Sequence, residues 1–321
     1  MSVRVSVVVP TRRRTALLRR CLSALLAQDF DAGAYEILVA GDGADRATER
    51  LVAEVRGARR RPALRYIPVV DGHGPAAARN RACQLAFGEV IAFTDDDCVP
   101  AVDWLRVGVE SFRPGVGAVA GRIIMPLPRR PTDYEADAAR LQGAEFTTAN
   151  CFCLRDSLVA AGGFDERFRR AGREDSDLFF SLLEQGVEIV HEPRAVVVHP
   201  VRPACWGVSL LQQRNNFFES LLYKKHPAFY RSRARRPWRY YGSCLALTTV
   251  GGGAVMGSSG LVAVAGVLWL TLTACFCWDR LRATSRHPIH VLEVAITSAL
   301  IPPVALFWRL AGAMRHRILL I

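Results

Sequence analysis

The stretch Glu89-Val90-Ile91-Ala92-Phe93-Thr94-Asp95-Asp96-Asp97 decides how this chain is read. A short apolar run has the length of a buried strand, and it stops on three consecutive carboxylates. Upstream, residues 3–9, 35–40 and 64–70 are similar β-rich runs, and segments of helical period separate them. Residues 15–28 put Leu17, Leu18, Cys21, Leu22, Leu25 and Leu26 on one helical face. Gly41-Asp42-Gly43 turns the chain into a polar helix, and Gly72-His73-Gly74-Pro75 leads into a helix over 76–87. Strands alternating with helices predict an α/β fold around a largely parallel sheet. Such sheets bind ligands outside the carboxyl ends of their strands, which is where the three aspartates fall.

Downstream, a short helix near 103–111, strands at 116–124 and 146–154, a helix at 174–185 and short strands at 187–191 and 195–199 complete a domain over 1–200. The whole chain has 321 residues, 50% hydrophobic and 22% charged, with a formal net charge of +12. This excludes a disordered or fibrous protein and points to an anionic partner without choosing among nucleic acid, lipid and phosphorylated small molecule. The apolar excess is concentrated after Ser243. The nine cysteines lack the C-x2-C spacing of zinc or redox sites, so they read as reduced thiols. Arg12, Arg13 and Arg14 follow the first apolar run instead of preceding it. The pattern is wrong for a secretory signal, and the N-terminal domain is expected in the cytoplasm.

Residues 201–240 interleave Trp206, Leu210, Phe217 and Phe218 with Arg214, Lys224 and Lys225, then carry Arg231, Arg233, Arg235, Arg236 and Arg239. They read as an amphipathic interfacial helix with a basic juxtamembrane segment; an ordinary packed surface helix is the bland alternative. Residues 241–321 form a transmembrane region. Its first part, about 241–278, is too long for one span and suits a hairpin turning at Gly257-Ser258-Ser259-Gly260. Both flanks would then be cytosolic, as their arginines favour. The apolar segment at about 290–310 contains Glu293 and Pro302-Pro303 and reads either as a third span or as a re-entrant segment.

Adjacent carboxylates at a strand end repel unless a cation neutralises them, so Asp95-Asp96-Asp97 suits Mg2+ or Mn2+ and a substrate phosphate; a solvated acidic loop is the alternative. Glu174 and Asp175 begin a helix, where capping explains them, yet either can serve as a base for a hydroxyl. Gly74 to Arg81 combines small residues with Arg79 and Arg81, which suits a diphosphate and also an ordinary helix start. His199, after a strand, is a possible metal ligand or a structural histidine.

Together these pieces form a pattern. Val9-Pro10-Thr11, Asp42-Gly43, Gly74-Pro75-Ala76-Ala77-Ala78-Arg79-Asn80, Ile91 to Pro100, Gly162-Gly163-Phe164-Asp165-Glu166-Arg167-Phe168 and Arg173-Glu174-Asp175-Ser176-Asp177-Leu178 occur in that order. The chain resembles the family 2 glycosyltransferases over residues 3–200. The resemblance implies a GT-A, Rossmann-like nucleotide-diphospho-sugar transferase fold, here followed by C-terminal transmembrane helices. It implies that Pro10, Thr11 and Asp42 line the nucleoside pocket, with Arg79 near the diphosphate and Asp96 near the ribose or sugar. Asp95 and Asp97 match the D-x-D element, Asp97 as metal ligand with Asp95 beside it, and His199 is a possible second ligand. Glu174 and Asp175 match the acidic pair facing the acceptor, with Asp175 as general base, and the expected cofactor is Mn2+ or Mg2+.

The chain departs from relatives in having Gly41 before Asp42, and it lacks the Q-x-x-R-W element of processive synthases around Arg214. The reading is therefore an inverting, metal-dependent transfer of one sugar from a nucleotide-diphospho-sugar to a lipid-linked or membrane-proximal acceptor in cell-envelope glycan synthesis. It places the enzyme in the inner or plasma membrane with a cytoplasmic catalytic domain and no nucleic-acid partner. The alternative is a non-catalytic nucleotide-sugar-binding membrane scaffold; a small channel built from the C-terminal segments ranks last. Donor sugar, nucleotide base, acceptor and oligomeric state are open at this level.

Overall fold

A computed structural model describes residues 3–58, 61–70, 73–233 and 237–318. The readings placed on Gly72, Arg235 and Arg236 lie outside the described residues. The chain divides into two compact units, one of residues 1–126 and 141–200, the other of residues 127–140 and 201–321.

Among the described residues, the first unit is built on eight strands: β1 (Val5–Thr11), β2 (Tyr35–Asp42), β3 (Ala63–Val69), β4 (Val90–Thr94), β5 (Val99–Pro100), β6 (Val116–Ile124), β7 (Asn150–Leu154) and β8 (Glu188–Val198). They form one sheet in the order β3-β2-β1-β4-β7-β6-β8-β5. Strands β1, β2 and β4 are buried on both faces, which is why they read as continuous apolar runs instead of alternating ones. The helices in chain order are α1 (Thr15–Leu25), α2 (Arg46–Ala58), α3 (Pro75–Gln84), α4 (Trp104–Glu110), α5 (Asp133–Ala138), α6 (Arg155–Ala160) and α7 (Glu174–Glu184); of these, α5 belongs to the second unit.

The sheet is mixed. β4 pairs antiparallel with β7, β7 antiparallel with β6, and β6 parallel with β8. Two reversals return β6 and β8 to the direction of β4, so His199, just past β8, lies at the same edge as Asp95 after β4. Thr11 faces Gly41 in the β1–β2 register and Thr94 faces Asn150, which brings the start of β7 to that edge too.

Two boundaries differ from the sequence reading. β8 is one strand where two were expected, because its register against β6 jumps from Glu192 to Val196. Pro193 has no N–H to give the ladder, and Glu192 accepts the Arg194 N–H at 3.0 Å instead, so the chain bulges and resumes. β7 begins at Asn150, four residues later than expected, because Thr147 and Thr148 are engaged elsewhere. Beneath the edge, Trp104 is fully buried against Phe152, ring centroids 4.8 Å apart, and donates to Asn150 at 2.8 Å. Asn150 in turn donates to the carbonyls of Arg122 and Ala195, so one amide ties β6, β7 and β8 together.

In the second unit, Thr132 and Glu135 form a reciprocal capping box at the start of α5. The helices that follow are α8 (Val208–Gln212), α9 (Glu219–Lys225), α10 (Pro227–Arg233), α11 (Trp238–Val255), α12 (Ser259–Leu281) and α13 (Pro288–His316), with a 3-10 turn over Gln213–Phe218. Gly257, at φ +68°, makes the turn between α11 and α12 at the expected place. By length and composition α12 and α13 are apolar enough to cross a membrane. α13 runs unbroken through Pro302 and Pro303.

Candidate active site

The residues the sequence reading selected in the first unit lie at the carboxyl edge of the sheet, apart from Arg81, which is exposed on α3 and donates to Gln84 at 3.2 Å; the neighbours of each decide what it can do. Asp96 is buried, accepting from the Thr11 hydroxyl at 2.6 Å and from Arg14 at 2.9 Å. Burial pushes its carboxyl up, and these two donors oppose the shift. Asp42 accepts from the Gly74 N–H at 3.0 Å and pairs with Arg12 at 3.4 Å, which joins the end of β2 to the loop before α3. Gly74 has φ +92°, and a Cβ there would come within 2.6 Å of the Arg169 carbonyl, so this close approach needs glycine. Pro10 sits beside Ala40 in the β1–β2 register.

Arg79 is 3% exposed and lies amid carboxylates. It meets Asp95 at 2.9 Å, Glu174 at 3.2 Å and Asp175 at 3.9 Å, and its guanidinium stacks over the Phe164 ring. The guanidinium is thus spent on bridging the aspartates after β4 to the acidic pair of α7. Glu174 is buried with it, accepting also from the Gly172 and Arg173 N–H groups at the helix start. Burial and the charge of Asp175 push the Glu174 carboxyl up to about 7, against the opposing charge of Arg79.

Asp175 is different from its neighbour. Its carboxylate accepts from the Thr147 hydroxyl at 3.0 Å, the Thr148 N–H at 3.1 Å and the Thr148 hydroxyl at 2.7 Å, and its side chain keeps 21% exposure. Fixed in place and open on one side, it meets the geometric requirement for a base that must reach an incoming hydroxyl.

Asp97 and His199 face each other with Oδ1 and Nε2 3.6 Å apart, and the ligand atoms of Asp97, Cys98 and His199 all lie within 4.8 Å of one another. Donors at roughly 2.0–2.3 Å from one ion are separated by such distances, and a carboxylate with an imidazole suits Mn2+ among other divalent ions. Asp97 and His199 thus fit a cation, with Asp95 two residues away at the same strand end.

Sequence reasoning missed Arg14, Cys98, Thr147 and Thr148. The triplet Arg12-Arg13-Arg14 carries a signal only for charge, and the polar run Thr147-Thr148-Ala149-Asn150 is the one clue that the chain there does more than enter a strand.

The model for the family described as "Glycosyl transferase family 2" matches residues 6–151. That match supports a family 2 glycosyltransferase over these residues of the first unit. Among curated members of similar sequence, glycosyltransferase AglE of Haloferax volcanii is 26% identical over 209 residues, which cover 62% of this chain and 67% of AglE. A pre-mycofactocin glycosyltransferase of Mycobacterium tuberculosis is 29% identical over 218 residues, 62% of this chain but only 43% of that protein. Among solved structures, mannosyltransferase PcManGT from Pyrobaculum calidifontis, in complex with GDP-Man and Mn2+, is similar with a TM-score of 0.57 at 20% identity over 99% of this chain and 88% of that one. This is a likeness of fold, and it bears out the GT-A architecture expected from the resemblance to family 2.

Proposed function

We propose that this protein transfers a single sugar, with inversion, from a nucleotide-diphospho-sugar to a hydroxyl of a lipid-linked or membrane-proximal acceptor. In this reading the protein is anchored in a membrane and the first unit faces the cytoplasm. The observation that carries the reading is the open, hydroxyl-fixed carboxylate of Asp175, joined through Arg79 to Asp95 at the edge that also holds Asp97 and His199.

Thr11 and Asp42, with Pro10, line the nucleoside side, and Asp96 is held by Thr11 and Arg14 for the ribose or sugar. Asp175 takes the acceptor proton as the acceptor oxygen attacks the anomeric carbon. The bond to the diphosphate breaks, and its electron pair leaves with the diphosphate. Asp97 and His199 would hold a divalent cation, which neutralises charge developing on that leaving group. Arg79 and Glu174 act as positioning residues that hold the carboxylates at their spacing. The GDP-Man and Mn2+ bound by PcManGT, and the glycosyltransferase names of the relatives, support the donor class. The helices α12 and α13 support the membrane reading.

The test is thermal-shift binding of the detergent-purified chain against GDP-, UDP- and TDP-sugars, each with Mn2+ or with EDTA. One nucleotide class should stabilise the protein by about 2.7 kcal/mol at a hundredfold excess over its Kd, and only with the metal. A folded protein that responds to no donor overturns the reading, and donor binding without any sugar transfer favours the non-catalytic nucleotide-sugar-binding scaffold instead.

A further inference from the structure

Length and apolarity make α13 a second candidate span beside α12, but its partners within the second unit place it otherwise. α11 and α12 form an antiparallel hairpin: Gly253 lies against Val262, Gly242 against Leu272, Tyr240 against Phe276, and Arg239 pairs with Asp279. Residues 239–241 and 279–280 therefore mark its open end, and Gly257 marks its tip. The 18 residues of α11 extend about 27 Å between them.

α13 meets the open end twice. Near its start, Arg280 donates to the Val294 carbonyl at 3.3 Å and to the Thr297 and Ser298 hydroxyls at 2.9 Å each. Twelve residues after Thr297, Arg309 hydrogen-bonds Tyr230 of α10, the helix that precedes α11. That interval of helix is about 18 Å long. A helix running alongside the hairpin would have carried Arg309 about two-thirds of the way to the tip. Both contacts instead remain at the open end.

We infer that α13 lies across the open end of the α11–α12 hairpin, in the plane of the membrane interface, and does not cross the bilayer. The inference rests on the membrane-anchored reading proposed above.

Two further observations agree with it. The far part of the hairpin is bare: Met256 is 69% and Val264 72% exposed, and only 6% of the apolar window of α12 is buried, against 33% for α13. A third span packed beside the hairpin would cover it. The exposed apolar residues of α13, from Ile289, Leu292, Ile296 and Leu300 to Phe307, Leu310 and Met314, recur at helical period and form one stripe along its length. The opposite face, with Val294, Ile301 and Ala305, is packed within the unit. At the far end, His316 meets Ser220 at 2.8 Å and its carbonyl accepts from Lys224 of α9, so that end stays with the charged segment that leads into α11. One apolar stripe toward acyl chains, with polar anchors at both ends, is the form of an interfacial helix. The placement also keeps Arg315 and Arg317 on the same side as Arg239, as the charge rule favours.

The experiment is protease protection of the full chain in sealed inverted vesicles and in spheroplasts. A short epitope is inserted in separate variants after Arg286, after Ser258 and after Ile318, and alkaline-carbonate extraction is run in parallel. The Arg286 and Ile318 epitopes flank α13 and should be cleaved from the same face, with the Ser258 epitope cleaved from the other. Retention in the membrane with the Arg286 and Ile318 epitopes on opposite faces overturns the placement of α13 and leaves the anchoring reading intact. Release of the protein by carbonate overturns the anchoring reading, and this inference with it.

Discussion

Arg79 shows how one side chain organises the site. Three carboxylates surround a guanidinium that is 3% exposed, so replacing it by methionine strands buried negative charge. Arg79→Met should cost about 3–5 kcal/mol in unfolding free energy, and Glu174→Gln in the same chain should recover part of that loss, read by denaturant titration in detergent. Glu174 also sets a pH dependence. Its carboxyl is raised from 4.5 to about 7 in the fold, so the folded state holds the proton more tightly than the unfolded chain does. Its stabilising contribution is complete below about 4.5 and is lost as the pH rises through about 7. Thermal melts of the native chain should fall across that window, and Glu174→Gln should flatten the fall. Asp175→Asn keeps shape and removes the base: kcat should drop by about 10²–10⁴-fold with donor binding unchanged, whereas an equal loss in donor affinity would assign Asp175 to the donor side.

Among elements, the 3-10 turn at Gln213–Phe218 and α13 approach closely because α13 presents Gly312. A Cβ at that position would collide with the Phe217 carbonyl, while Phe217 lies edge-on to Trp308 and to His316. Gly312→Leu should force the two apart and destabilise the second unit by about 1–3 kcal/mol, visible as easier proteolysis between Lys225 and Trp238. The loop before β7 is the counterpart in the first unit. Thr148→Val removes the hydroxyl donor to Asp175 and leaves the backbone donor in place. Turnover should fall more than stability, read as kcat against the denaturant midpoint.

At the scale of the whole molecule, the +12 charge and the apolar excess are separate statements about separate parts of the chain. The arginines around the start of α11 and the end of α12 flank a hairpin whose outward faces carry Val264 and Val267, both more than 60% exposed. Val264→Arg with Val267→Arg should cost about 2.5–3.5 kcal/mol per residue on insertion and shift the protein from the carbonate-resistant fraction to the soluble one. The nucleotide-sugar response of the first unit should survive that change, since its core is its own: β1, β2 and β4 are buried within it.

The α/β class, the succession of strands along the chain up to β4, the turn at Gly257 and the aspartates after Thr94 were legible in the sequence, because each depends on local periodicity or on turn chemistry that neighbouring residues specify. The antiparallel insertion of β7, the single bulged β8 and the recruitment of residues 127–140 into the second unit were not, since strand pairing depends on contacts between residues far apart in the chain. The same limit applies at the site. Asp95, Asp97, Glu174 and Asp175 stand out as charges placed where solvated loops would otherwise be, but nothing local distinguishes the locked Glu174 from the open Asp175. Thr147, Thr148 and Arg14 acquire their roles only when the sheet edge gathers them. The fate of α13 has the same cause: composition makes a helix apolar enough for a bilayer, while its tertiary contacts with Arg280 and Tyr230 decide whether it enters one.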